Sequence, residues 1–324
     1  MTATRLGARA WLALVLAAGL IAAALFAAAP ATETATANPN KPKGPAGECN
    51  GRGIPDNKIS VQLWTFASYI GFGSDEATQQ RLEETLAGLA EIGYRNVEPF
   101  SFNGLTAAEF KALLKKYRLK APSRHGSTDE AAWDQHLADA KVLKQKYTGS
   151  GGSAAPGIGS YEDTLATAET LNRLGERSVK NGTGKVFVHN HQGEFRTMYE
   201  DPETGEMKSA WQILVENTER RWVAFQVDVL WAADGGADPV ALLNEYGKRI
   251  DLLHIKDGIN VADPANATPV VLGEGEMDFE PILEAAQGKV RYYVYEQDPP
   301  FGDPTFDPFA SARAGYEYLS CVTF

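Results

Sequence analysis

The feature that most limits how this chain can fold is a rhythm. From Lys58 to Leu319, eight short β-rich runs alternate with helical patterns. The runs cover residues 59–66, 95–99, 120–125, 146–150, 185–191, 222–230, 250–256 and 290–297. The intervening stretches carry helix start and stop signals. Ser74 is placed to cap a helix over 74–92, with Asp75 and Glu76 in its first turn and Gly93 just past its end. Thr106 and Glu109 form a T-x-x-E capping box, and a further helix starts near Thr128. A long helix is expected over 161–180 and another over 209–218, and Asp238-Pro239 supplies an N-cap followed by proline at N1. Helices over 279–287 and 306–319 complete the alternation. Two interruptions stand out: an inserted hairpin at 199–208, turning at Asp201-Pro202-Glu203-Thr204-Gly205, and a long loop over 257–277.

Eight strand–helix units over about 265 residues are the count and length of an α/β fold of one kind, a single (β/α)8 TIM barrel. A doubly wound open sheet is the alternative, but no G-x-G-x-x-G follows the first run. No linker rich in Pro, Gly or Ser splits the region, so residues 58–324 are read as one domain.

The chain before residue 58 has a different character. Residues 1–10 carry Arg5 and Arg9, residues 11–29 hold no charge, and small residues Ala27, Ala28 and Ala29 end the apolar run. A basic segment, an apolar segment and an A-x-A-like end are the order of a cleaved signal peptide over 1–29, followed by a flexible segment over 30–57. An uncleaved membrane anchor is the other reading, since nineteen uncharged residues can span a bilayer. The two cysteines, Cys49 and Cys321, bracket the barrel, and in an exported protein this points to a Cys49–Cys321 disulfide. Without the leader, 29 basic residues face 42 acidic ones, a net charge of −13, and no basic cluster tracks phosphates. Nucleic acid is therefore not an expected partner.

In a TIM barrel the chemistry lies at the C-terminal ends of the strands. Those ends carry Glu98, His125, His189 and His191, Asp228, His254 with Lys256 and Asp257, and Glu296. Four of the five histidines fall there; only His136 lies inside a helical pattern, where it reads as ordinary surface. His189 and His191 are two apart, so on an extended strand both point to one side. Carboxylates at the ends of apolar strands are costly unless paired or metal-bound, so their convergence with imidazoles points to a cation. Two carboxylates plus imidazoles, without cysteine, suit one divalent ion: Mn²⁺, Mg²⁺, Co²⁺ or Zn²⁺.

The same residues carry a resemblance. Gly93-Tyr94-Arg95-Asn96-Val97-Glu98, Val188-His189-Asn190-His191-Gln192-Gly193-Glu194-Phe195, Val227-Asp228-Val229-Leu230-Trp231, Leu253-His254-Ile255-Lys256-Asp257, Gly273-Glu274-Gly275 and Tyr295-Glu296-Gln297-Asp298 resemble the xylose-isomerase-like TIM barrels. That group includes sugar phosphate isomerases and epimerases, inosose dehydratases and keto-sugar epimerases. The resemblance implies one divalent metal held by Glu, Asp, His and Glu at the barrel mouth, and assigns the last three to Asp228, His254 and Glu296. Where many members carry the first Glu, this chain has His-Asn-His. Either His189 or His191 replaces that ligand, Glu194 reaches in, or the metal is weak or absent.

A divalent ion that binds a sugar carbonyl and its neighbouring hydroxyl eases removal of the proton between them. Glu98 and Glu296 are candidate bases, and Lys256 either stabilises the oxyanion or acts as a base itself. Trp64 and Trp231 offer apolar walls for a sugar face, and His125 a further substrate contact. The expected activity is a metal-dependent isomerase or epimerase of a sugar or keto-sugar, with a dehydratase-type lyase or a non-catalytic secreted sugar-binding barrel as alternatives. Metal-dependent phosphodiester cleavage fits poorly with the negative charge and the few histidines. Export favours a free or oxidised sugar, or a glycoside, over a sugar phosphate.

Overall fold

A computed structural model describes residues 53–262 and 266–324. The expected signal peptide over 1–29, residues 30–52 of the expected flexible segment, and Cys49 lie outside the described residues. In chain order the strands are β1 (Ile59–Gln62), β2 (Asn96–Glu98), β3 (Tyr147–Ser150), β4 (Lys185–His189), β5 (Met198–Glu200), β6 (Met207–Ser209), β7 (Val223–Asp228), β8 (Ile250–Ile255), β9 (Asp257–Ile259), β10 (Thr268–Val270) and β11 (Tyr292–Tyr295). The helices are α1 (Ala67–Ile70), α2 (Glu76–Ile92), α3 (Ala107–Lys116), α4 (Trp133–Leu143), α5 (Tyr161–Asn181), α6 (Gly193–Arg196), α7 (Ala210–Asn217), α8 (Val229–Asp234), α9 (Pro239–Tyr246), α10 (Phe279–Ala286) and α11 (Pro308–Cys321).

Seven strands form one parallel, curled sheet in the order β2-β1-β11-β8-β7-β4-β3. The expected third run, 120–125, is not a continuous strand. Only Lys120, paired with Asn96, and His125, paired with Gly149, make bridges, one to each edge of the sheet. Pro122 explains the gap, since it has no N–H to give to a ladder; its carbonyl instead accepts from Lys146 and Tyr147. This stapled segment closes the barrel between β2 and β3.

Strand ends and caps also shift by a few residues. The first strand stops at Gln62, and Leu63–Phe66 forms a 3-10 turn. The sixth expected run stops at Asp228, whose side chain caps α8 by accepting from Trp231 N at 3.0 Å. Asp75, not Ser74, caps α2. The Thr106–Glu109 capping box, the Ser209 cap of α7 and the Asp238-Pro239 start of α9 are present. Strands β5 and β6 make the inserted hairpin, and β9 with β10 puts a second one inside the long loop.

Side-chain alternation sorts the barrel into layers. Outward residues such as Val61, Val97, Val188, Phe225, Leu253 and Tyr293 pack in the main core with the helices. At the bottom of the barrel, Tyr147, Phe187, Ala224 and Leu252 form their own apolar cluster against Tyr292. Two residues further along these strands the inward positions turn polar, with Gln226 on β7, His254 on β8 and His189 on β4. Register then decides which polar groups meet: Gln62 lies beside Glu98, His189 beside Gln226, and Asp228 beside His254.

Candidate active site

Glu98 anchors the buried polar layer. Its Oε1 accepts from Gln62 Nε2 at 2.8 Å and faces His254 Nε2 at 2.7 Å and His125 Nε2 at 3.1 Å. Its Oε2 accepts from Gln226 Nε2 at 2.8 Å. That donation fixes the Gln226 amide, so Gln226 Oε1 is an acceptor, and His125 Nε2 at 2.7 Å and His189 Nδ1 at 3.1 Å are its donors. Burial opposes the charge of Glu98, but the His125 and His254 imidazoles hold its carboxyl well below the usual carboxylate range. Glu98, expected as a base, is fully buried with both oxygens engaged and lies beneath the cavity rather than lining it.

Above it, His254 sits between two carboxylates, with Nδ1 2.8 Å from Glu296 Oε2. Burial disfavours its charge, yet Glu296 and Glu98 raise its pKa to about 10, so without a cation the ring keeps its proton between the two carboxylates, and a cation taking a ring nitrogen would displace that proton. Lys256 is 1% exposed, and its Nζ lies 2.8 Å from Glu296, 2.8 Å from Asp298 and 3.1 Å from Asp228. Desolvation opposes that charge, but the three carboxylates hold the ammonium well above its usual range. Burial likewise opposes ionisation of Glu296, while Lys256 and His254 hold it far below the usual value. His189 is pushed the other way: burial first, then His254 and His125, keep it neutral.

The cavity above these groups has a volume of about 490 Å³ and is lined by Trp64, Phe100, His125, His191, Trp231 and Asp298, among others. Lys256 Nζ also lies 5.4 Å from the centre of the Trp231 ring. His191 is exposed in this cavity, its ring 5.0 Å from that of His189. Glu194 is engaged elsewhere, accepting from His191 N at 2.9 Å and Ser153 Oγ at 3.2 Å.

Among the described residues, two sets of side chains could hold a metal ion: Asp228, His254 and Glu296, and His125, His189 and His254, each with ligand atoms within 4.8 Å of one another. His191 and Glu194 belong to neither set. Two observations bear on whether an ion fits. Asp228 Oδ2 is buried and accepts no hydrogen bond, although Lys256 Nζ is within ion-pair distance. Four carboxylates, of Glu98, Asp228, Glu296 and Asp298, face one ammonium and one imidazolium. The residues therefore fit a hard or borderline divalent cation, which would balance the excess negative charge.

Three participants escape the sequence reading. Gln62 and Gln226 are neutral amides that resemble any other strand residue, although Gln226 is two before Asp228 and so shares its face. Asp298 stands beyond the last strand and lines the cavity. Asp257, by contrast, does not face the cavity chemistry. Its Oδ1 accepts from Gly258 N and Met277 N, and its Oδ2 from Gly273 N at 2.8 Å and Gly275 N at 3.0 Å. The Gly273-Glu274-Gly275 stretch serves this clasp, since a Cβ on Gly275 would lie 2.2 Å from Asp257 Oδ1 and Gly273 has φ +86°.

His136 is the clearest correction. It is buried, not surface: its ring stacks on Trp133 at 5.0 Å, and its Nδ1 meets the Arg124 guanidinium. Burial, then the Arg124 charge, lowers its pKa to about 3. Spacing held the signal, because Trp133, His136, Leu137 and Ala140 lie on one face of α4.

Fold and site together define a (β/α) barrel whose mouth gathers carboxylates, imidazoles and a buried lysine. The family model for the xylose isomerase-like TIM barrel matches residues 86–293, and the chain belongs to that family. It is 29% identical over 151 residues to an inosose dehydratase of Geobacillus thermodenitrificans, covering 41% of this chain and 47% of that protein. The chain thus spans about half the length of the curated relatives it matches. In fold it is similar to a sugar phosphate isomerase/epimerase of Parabacteroides distasonis, at TM-score 0.64 and 23% identity, covering 83% of this chain and 95% of that one. It is also similar to the IOLI protein with a zinc atom bound, at TM-score 0.58 and 15% identity, covering 82% and 98%.

Proposed function

We propose that this protein is a metal-dependent isomerase or epimerase of a sugar or keto-sugar, acting by removal and return of a proton next to a carbonyl. The observation that carries this reading is the convergence of buried Asp228 and His254 with Glu296, which lines the cavity, in a layer with an excess of carboxylate. We assign these three as ligands and add His189, whose Nδ1 is held by Gln226, leaving Nε2 for the ion. A bound divalent ion would polarise the sugar carbonyl and stabilise the negative charge that grows on its oxygen.

The chain's own groups do the rest. Asp298, 30% exposed and lining the cavity, is placed to take the proton and return it. Lys256 Nζ, beside Asp298, Glu296 and Asp228, supplies a fixed positive charge where oxyanion charge develops. Gln62, Gln226 and Glu98 keep the imidazoles in place beneath. Trp64 and Trp231 wall the cavity against water.

Dehydratase-type lyase activity is the second reading, supported by the inosose dehydratase relatives. The same proton removal can be followed by loss of a β-hydroxyl as water. We also read the leader as an export signal, which favours free or oxidised sugars or glycosides over sugar phosphates; a preference for phosphosugars in a substrate screen would overturn that choice.

Metal analysis of the purified protein tests the core of the proposal. One bound divalent ion per chain is expected, reduced at least tenfold in Asp228→Ala and in His254→Ala. Unchanged metal content in both variants would remove the site. Incubation of ketoses and inososes in heavy water separates the activities: an isomerase or epimerase incorporates deuterium beside the carbonyl, whereas a lyase forms an unsaturated product.

A further inference from the structure

The cavity has two unlike halves, and sheet order explains why. Strands β4, β7 and β8 are consecutive neighbours and deliver His189, Asp228, His254 and, just beyond, Lys256. Strands β2, β1 and β11 are also consecutive, and each leads into aromatic residues: Phe100 after β2, Trp64 and Phe72 after β1, Phe301 after β11. The Trp64 ring lies 5.2 Å from Phe100, 5.8 Å from Phe72 and 5.9 Å from Phe301. Phe72 and Phe301 lie 6.2 Å apart, their planes 30° from parallel. Trp64 and Phe100 line the cavity, so the four rings form one apolar wall running from its interior to the outer rim.

Phe72 is 65% exposed and Phe301 56%. Among the described residues only five large apolar side chains are largely exposed, and two of them, these rings, touch each other. Burying an aromatic ring is favourable, so two rings left in water beside a ligand cavity forgo stability that a ligand can recover. A sugar ring held by the polar floor leaves room in a cavity of this size, which falls in the class that holds drug-sized ligands.

We infer that the aromatic wall is a subsite for an aromatic group attached to the sugar, so that the substrate is an oxidised glycoside, with a ketone on a ring carbon and an aromatic aglycone, rather than a bare monosaccharide. The inference rests on the sugar reading of the floor. A second sugar ring fits the wall less well. Its hydroxyls would lose water against four rings that together offer one hydrogen-bonding group, the Trp64 indole N–H. An aryl group has no such hydroxyls to strip, and it can pack edge-on or offset against rings at these spacings.

Calorimetric titration with matched methyl and phenyl glycosides of glucose, galactose and xylose, each also in its ring-oxidised keto form, tests the subsite in the full-length protein. At least one phenyl member should bind tenfold or more tightly than its methyl partner. That advantage should fall below threefold in the Phe72→Ser/Phe301→Ser double variant. A control, Met207→Ser, changes an exposed apolar residue on the β5–β6 hairpin and should leave it intact. Phe72 and Phe301 are exposed, so the double variant should fold, and its melting curve checks this. The inference is overturned if no phenyl glycoside binds, if phenyl and methyl members bind alike, or if the advantage survives the double substitution. Tighter binding of cellobiose than of phenyl glucoside overturns it as well. Heavy-water exchange keeps the two proposals apart: exchange without phenyl preference sinks the subsite alone, and phenyl preference without exchange or elimination sinks the reaction alone.

Discussion

His254 at the barrel mouth and His136 on the flank are buried to nearly the same degree, 0% and 3% exposed, yet one is charged and the other neutral. Burial works against the charge of both rings. The neighbours decide the outcome. His254 has a carboxylate at each nitrogen, and two close negative charges outweigh desolvation. His136 has a guanidinium at Nδ1 and a buried Nε2 without a hydrogen bond, so desolvation and charge push the same way. The first arrangement stores charge directly beneath Glu296, which lines the cavity. The second uses an imidazole as a neutral acceptor that packs on Trp133 and orients Arg124 toward Asp139, 3.3 Å away.

The largest effect should come from breaking the mouth. Glu98→Ala removes the carboxylate shared by His254, His125, Gln62 and Gln226 and leaves buried polar groups unpaired, which should cost about 3–5 kcal/mol in denaturant unfolding. A loss under 1 kcal/mol would show that the layer does not hold the fold together.

The flank should show itself in pH dependence. Above the ordinary value of 6.5, His136 is neutral in both the folded and the unfolded chain. As pH falls from there toward about 3, the unfolded chain takes up a proton that the folded one refuses. Stability should then drop by about 1.4 kcal/mol per pH unit, and the loss should level off below the folded pKa. Comparing wild type with His136→Gln isolates this term, because carboxylates titrate in both. Parallel stability curves for the two proteins between pH 4.5 and 6.5 would refute the assignment.

A smaller effect should sharpen the cause. Desolvation outranks Arg124 in lowering the His136 pKa, so Arg124→Gln should raise its titration midpoint in an NMR experiment while leaving it below 6.5. A return to 6.5 would make the guanidinium the main cause.

The mouth and the flank also differ in how legible they are in the sequence. The strand-end residues stand out because strand periodicity and barrel topology fix where such ends must gather, and the Thr106–Glu109 and Asp238-Pro239 signals place helix starts correctly. The third run misleads because Lys120 and His125 do pair, while Pro122 between them breaks the ladder. Gln62 and Gln226 carry no charge that marks them, and their roles depend on register with Glu98 and His189. Phe72 and Phe301 lie in loops without periodicity, so only the adjacency of β1 and β11 brings them together. His136 misleads because a polar residue in a helical pattern reads as exposed, although three apolar neighbours share its face.

The clasp at Asp257 has a consequence in time. Four amides, of Gly258, Gly273, Gly275 and Met277, donate to one carboxylate that burial hides from water. Hydrogen exchange at these positions should therefore be slow in a segment that otherwise exchanges like a loop, a protected island between two helical turns of the barrel. Ligand arrival then finds this side of the mouth already set, and the ordering entropy of some twenty residues is spent during folding instead of at each binding event.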